Sequence, residues 1–302
     1  MIRNLATILL FTSIVACGKK HDDTAAPAPA AATTESPAKE APAAPAAKQP
    51  LTAALFGKTV APPGPLAKLQ FGMSDKAAQQ QLEAANTANT LEGVHWWLGI
   101  PRNEGKLDDV LVEFPTAKRG VVAEAWGPGK DTDRGGKPVT VWFNPDTGVR
   151  ATLGDDGDHS TLRFEPYTPL AKLLGDGPQI AMLAKPLTKL SLADAAKAYP
   201  DLADKDGHLW LPPTEWEFGG GTPLSPYPIE GPIQSVAFSI PYRKGDASSK
   251  AEVMAAIEKK WGKVKAVDEL DPKTKIYSKA KPHVEVYEDS YSANAVNVRV
   301  AW

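Results

Sequence analysis

The chain has 302 residues, with 34 Lys and Arg against 36 Asp and Glu and a formal charge of −2. That balance offers no strongly basic face for nucleic acid and no acidic block. Cys17 is the only cysteine, which excludes an intrachain disulfide, and a Cys-based zinc site or thiol nucleophile in the folded part.

The first element is an export signal over residues 1–16. Arg3 gives a positive start, and Leu5 to Val15 is an apolar run interrupted by Thr7, Thr12 and Ser13. A bilayer span needs ~20 apolar residues, so this run is too short to cross and fits the apolar core of a secretory signal. It ends in Ile14-Val15-Ala16-Cys17. Here the chain resembles bacterial lipoprotein precursors, whose lipobox places an aliphatic residue and small residues before a modified cysteine. The resemblance implies diacylglycerol on the Cys17 thiol and a membrane partner through that lipid. Gly18 follows the cysteine where the inner-membrane retention signal of such proteins has aspartate, so the expected location is the cell envelope, at the outer membrane. Several acyl chains on one residue anchor firmly, since each buried methylene contributes ~0.8 kcal/mol.

Residues 17–60 are expected to form a disordered tether. Thr24 to Pro50 is almost entirely Ala, Pro, Thr, Glu and Lys, without an aromatic or a large aliphatic residue. Such a stretch cannot bury enough apolar surface to offset ordering. At ~3 Å per residue, a Pro-rich chain of this length holds a domain several nanometres from the membrane.

The rest reads as α+β, in two tandem, diverged α-β-β-α-β-β-β units over 61–168 and 186–302, with a connector over 169–185. The sheets are expected to be mostly antiparallel with helices on one face. Pro65-Leu66-Ala67-Lys68-Leu69 recurs as Pro186-Leu187-Thr188-Lys189-Leu190. A short helix follows each, capped by Ser74 or by Ser191, the latter with Asp194 three residues on. His95-Trp96-Trp97-Leu98 is matched with His208-Leu209-Trp210-Leu211, and Leu107 to Pro115 with Ile233 to Pro241. A second helix ends in Trp126-Gly127 or Trp261-Gly262, with glycine as the stop. Three strands close each unit: Val139 to Phe143, Val149 to Leu153 and Thr161 to Tyr167, then Lys275 to Ser278, His283 to Glu288 and Val296 to Trp302. The spacing between copies widens across Gly219 to Pro232 and across the longer second helix, Ser248 to Trp261. Phe71-Gly72-Met73-Ser74 resembles the helix entry of outer-membrane assembly lipoproteins and of tandem β-lactamase inhibitory proteins, over about a dozen residues.

No motif for a hydrolase elbow, a zinc protease helix, a phosphate loop or a dinucleotide fold occurs. No catalytic residue, cofactor or metal site is assigned. Asp155, Asp156, Asp158 and His159 read as a solvated hairpin turn, with a hard cation as the alternative. The candidate binding surface is His95, Trp96 and Trp216. Adjacent strand residues face opposite ways, so Trp96 and Trp97 cannot enter one core. The repeat alignment assigns Trp97 inward and Trp96 outward. The expected function is a membrane-tethered, non-catalytic binding or scaffold lipoprotein contacting envelope protein or peptidoglycan, with no nucleic-acid partner. The alternative is a glycan-directed hydrolase using Glu215, Glu217 and Glu230 beside Trp216, since paired carboxylates near aromatics suit glycan hydrolysis.

Overall fold

The computed structural model describes residues 48–84, 91–99, 105–183, 186–218, 221–288 and 294–302. The expected lipobox and most of the expected tether, residues 1–47, lie outside them. The described residues belong to one compact unit, Ala46–Trp302. The fold is α+β with antiparallel sheets.

The first half contains α1 (Ala53–Phe56), α2 (Asp75–Ala84), β1 (His95–Gly99), β2 (Asp109–Pro115), α3 (Gly120–Trp126), β3 (Lys130–Arg134), β4 (Lys137–Asn144), β5 (Val149–Asp156) and β6 (His159–Pro166). The second contains α4 (Leu170–Leu173), α5 (Leu192–Ala198), β7 (Trp210–Leu211), β8 (Thr222–Pro223), β9 (Ser225–Tyr227), β10 (Ser235–Pro241), α6 (Ala247–Trp261), β11 (Ala266–Val267), β12 (Lys275–Ser278), β13 (His283–Tyr287) and β14 (Ala295–Ala301). The first sheet has the order β1-β2-β6-β5-β4-β3, and the second β9-β10-β14-β13-β12-β11. Strand for strand in chain order, these are the same topology, with α3 and α6 in the same place.

Register explains which face each sheet buries. Val110, Phe164, Ala151 and Trp142 form one cross-strand row, and Val112, Leu162 and Leu153 form the next. These side chains pack with Phe56 of α1, Ala78 and Leu82 of α2 and Val122 of α3. In the second sheet Val236, Val300 and Val284 form a row, as do Phe238, Val298 and Val286. They pack with Leu170 and Leu173 of α4, Ala195 of α5, and Val253, Ile257 and Trp261 of α6. Each fully buried Val, Leu or Phe contributes roughly 1.5–3 kcal/mol, so a one-residue slip that turned such a row outward would be prohibitive.

The two halves also agree in local detail. The Leu107 N–H donates to Met73 O and the Gly72 N–H to Leu107 O, each at 2.8 Å. Ile233 N–H donates to Leu190 O at 2.8 Å, and Lys189 N–H to Ile233 O at 3.2 Å. These bonds pair Gly72 with Lys189, so the counterpart of the Pro186 to Leu190 motif is residues 69–73 and not Pro65 to Leu69 as expected. Gly72 has φ 83° and Lys189 has φ 69°, a left-handed conformation that only the glycine adopts without strain. Ser74 and Ser191 cap their helices, accepting from Ala77 N–H at 3.3 Å and Asp194 N–H at 3.1 Å. Trp126 and Trp261 end α3 and α6, each followed by a positive-φ glycine. Each ring meets the counterpart strand edge-on: Trp126 on Trp142 at 5.9 Å, Trp261 on Tyr277 at 5.8 Å. Both indole N–H groups are buried with no acceptor among the described residues.

Four further expectations are corrected. Each main sheet has six strands where five are expected, and the unexpected edge strand is β3 or β11. His208-Leu209-Trp210 is not the counterpart of His95-Trp96-Trp97: it leads into β7, which pairs with β8 in a separate ribbon, and the counterpart of β1 is β9. The tether ends before residue 60, because Leu51, Phe56 and Val60 are buried in the first core. The second unit begins before residue 186, because Leu170, Leu173, Leu174 and Ile180 of the expected connector belong to the second core.

Candidate functional site

Helices cover one face of the first sheet, and the other face meets the second half of the chain. On that second face lie Phe143, Arg150, Arg163, Thr152, Val141 and Lys130, which register sets opposite the buried rows. The segment 212–218, between β7 and β8, folds down onto part of it. Arg150 is the centre of the contact and is 1 % exposed. Its Nη1 donates to the carbonyls of Thr214, Glu215 and Glu217 at 3.1, 3.0 and 2.8 Å, and its Nη2 to Glu165 at 3.2 Å. The guanidinium stands 4.5 Å from the Phe218 ring centroid. Burial lowers the Arg150 pKa, and the Glu165 carboxylate opposes that shift. Arg134 grips Glu165 with both terminal nitrogens at 2.7 and 3.1 Å, the bidentate geometry that favours arginine over lysine.

Beside this clamp lies a cleft of about 320 Å³. One wall is Phe143, Pro145 and Tyr167 of the first half. The other is the apolar side of α6, with Val253 and Ala256, and Leu170 and Ala171 close one end. Trp216 roofs it, edge-on to Phe143 at 5.0 Å between centroids. Two cations stand 5.7 Å from the Trp216 ring, Lys130 and Arg243. Lys130 also pairs with Glu252 of α6 at 3.3 Å, so the ion pair crosses from one half to the other. Arg243 Nη1 donates to the Asp131 carbonyl at 3.2 Å and makes a second crossing contact.

Glu215 is half-buried at the cleft and accepts the Leu170 N–H at 3.0 Å. Burial raises its pKa, partly opposed by that hydrogen bond and by Arg150 and Lys130. Burial also drives the Tyr167 phenol well above its ordinary value, reinforced by the Glu215 carboxylate. An apolar pocket at a domain junction, with a few polar groups of shifted pKa, is the usual setting for a ligand site.

The candidate surface does not assemble as expected. Trp216 is at the cleft. His95 and Trp96 are on the edge strand β1, where Trp96 packs half-buried against the first core. Register decides this: Trp96 pairs with the inward Val112, and Trp97 with the outward Leu111. The exposed ring is therefore Trp97, at 49 %, with His95 tilted against it at 6.5 Å. Glu215 and Glu217 are engaged in internal contacts, the latter accepting the Thr222 hydroxyl at 2.8 Å, whereas Glu230 is exposed in a turn.

At the β5–β6 turn, Asp155 pairs with Arg119 and accepts the Ser160 hydroxyl at 2.7 Å, which leaves it committed to the hairpin. A different acidic group is not legible in the sequence as a unit: the ligand atoms of Asp204, Asp206 and His208 lie within 4.8 Å of one another. All three are exposed, and the Asp204 carboxylate already accepts the Trp210 indole N–H and the backbone N–H groups of Asp206 and His208. The Trp210 hydrogen bond leads the causes that hold its pKa down to about 2. These contacts explain the loop as an anchor for Trp210 and His208.

No protein family, curated protein or solved structure matches the chain. No helix among the described residues is long and apolar enough to cross a membrane.

Proposed function

We propose that the protein is a lipid-anchored, non-catalytic binding protein of the bacterial cell envelope, held by Cys17 and presenting a ligand cleft between two α+β modules. The observation that carries the binding half is the cleft lined by Phe143, Tyr167, Trp216 and the α6 side chains Val253 and Ala256. Its walls come from both modules, and the Arg150 contacts supply a rigid support for them. A binding role is favoured over glycan hydrolysis because Glu215 and Glu217 serve internal hydrogen bonds, with different partners. The lipobox residues Ile14 to Cys17 support the anchored half.

Two measurements test this. Replacing Cys17 with Ala shifts the protein from the membrane to the soluble fraction, and a variant that stays membrane-bound refutes the anchor. A thermal-shift screen of small apolar molecules raises the melting temperature of the full chain, and filling the cleft with Ala256→Phe abolishes the response. A response that survives in Ala256→Phe places the ligand elsewhere and refutes the cleft.

A further inference from the structure

The cleft has a chemistry more specific than its apolar walls. Its charged lining is two carboxylates, Glu215 and Glu252, and one cation, Lys130. Lys130 Nζ sits where a carboxylate and an aromatic face meet, 3.3 Å from Glu252 and 5.7 Å from the Trp216 centroid. That is the arrangement by which proteins recognise organic ammonium groups, because the ring face is electron-rich and the acid neutralises the charge. The ring is suited to such a role, since Arg243 lies at the same distance from it.

Lys130 is only loosely committed to this place. It lies on the edge strand β3, its side chain is 48 % exposed, and Glu252 is 58 % exposed. Exposed ion pairs of this kind have little net strength. The ammonium is therefore easily exchanged for another one, and the lysine stem can swing into solvent.

On the reading that the cleft holds a ligand, we infer that it takes a small organic ammonium. An aromatic or branched aliphatic body lies between Phe143, Tyr167 and Val253, and the charged nitrogen displaces Lys130 from Glu252 and Trp216. A volume of about 320 Å³ is at the small end of ligand pockets, which suits a body of one ring. Lys130 acts as a built-in competitor. An ammonium ligand must overcome it, whereas a carboxylate ligand would use it.

The two chemistries therefore respond with opposite signs. Calorimetric titration of the full chain in detergent uses phenethylammonium, phenylacetate and the neutral 2-phenylethanol. Phenethylammonium binds tightest. Lys130→Gln tightens it by about tenfold, and Glu252→Gln weakens it by about tenfold, within the range for a cation–aromatic contact and its acid. Neither change removes a buried group, so both variants fold, and their melting curves check this. Tighter binding of phenylacetate, or weaker phenethylammonium binding in Lys130→Gln, overturns the inference in favour of an anion. Equal binding of all three ligands, indifferent to both variants, overturns the inference but leaves a ligand cleft. No binding of any of the three overturns both.

Discussion

Arg150→Met removes the charge at the junction of the modules while keeping most of the apolar volume that lies against Phe218. Four hydrogen bonds disappear, three of them to the carbonyls of Thr214, Glu215 and Glu217. Breaking a buried charge pair from one side costs ~3–5 kcal/mol, chiefly through the charge left behind. Here Glu165 keeps Arg134 at 2.7 Å and Arg163 at 3.7 Å, which keeps the cost toward the lower end. Each carbonyl left without a donor adds roughly 1–3 kcal/mol where water cannot reach it, and these terms overlap. The expected loss is about 4 kcal/mol, or ~10 °C in melting temperature for a unit of this size. A matched control is Arg299→Met on the second sheet, since Arg299 is 48 % exposed and pairs with Glu285 at 3.4 Å. It is expected to cost ~1 kcal/mol or less. The assay is thermal and urea unfolding of wild type and both variants under identical conditions. A melting temperature for Arg150→Met no lower than that of Arg299→Met would refute the clamp.

Further predictions concern the repeat and the cleft acid. Lys189→Gly relieves a left-handed lysine at φ 69° and is expected to stabilise by ~1 kcal/mol, while Gly72→Ala at φ 83° destabilises by a similar amount. Unfolding midpoints that move the same way in both variants contradict the structural equivalence of these positions. Glu215→Gln keeps an acceptor for the Leu170 N–H and removes a carboxylate whose pKa is raised by burial. A raised folded pKa favours the folded state at low pH, and that advantage is lost as pH rises through the folded value. The variant is therefore expected to melt above wild type at pH 8 and to match it at pH 4; a gain that is larger at pH 4 has the wrong sign and refutes the assignment.

The parts of the fold legible in the sequence are those written in local patterns. Val110-Val112-Phe114 and Val236-Phe238-Ile240 recur at every second position, with Leu111 and Glu113 between the first set and Ala237 and Ser239 between the second, and are the inward faces of β2 and β10. Serine caps and tryptophan–glycine helix ends are equally local. What the sequence hides depends on pairing between distant segments. Strand β3, Lys-Asp-Thr-Asp-Arg, has no apolar alternation, because an edge strand needs only backbone partners on one side. Strand β9 contains Pro226, a residue confined to sheet edges, inside a stretch that reads as loop. With β9 hidden, the His-Trp motif at 208–210 takes its place as the match for β1, and the two tryptophans of β1 are assigned reversed faces. Nothing near Glu215 to Phe218 announces that Arg150, some 65 residues earlier, will receive their carbonyls. Trp216 is legible as an aromatic just before an unusual insertion, but Tyr167, Phe143 and α6 join it only through the packing of one module on the other.

If the junction of the modules is a binding site, its most direct test is chemical-shift mapping with isotope-labelled full chain and a set of small one-ring molecules of positive, neutral and negative charge. The expected result is a set of shifts concentrated at Phe143, Tyr167, Ala171, Trp216, Val253 and Ala256, saturating with ligand. Saturable shifts confined to the exposed Trp97 edge, or no saturable shift at the cleft with any molecule of the set, would contradict it.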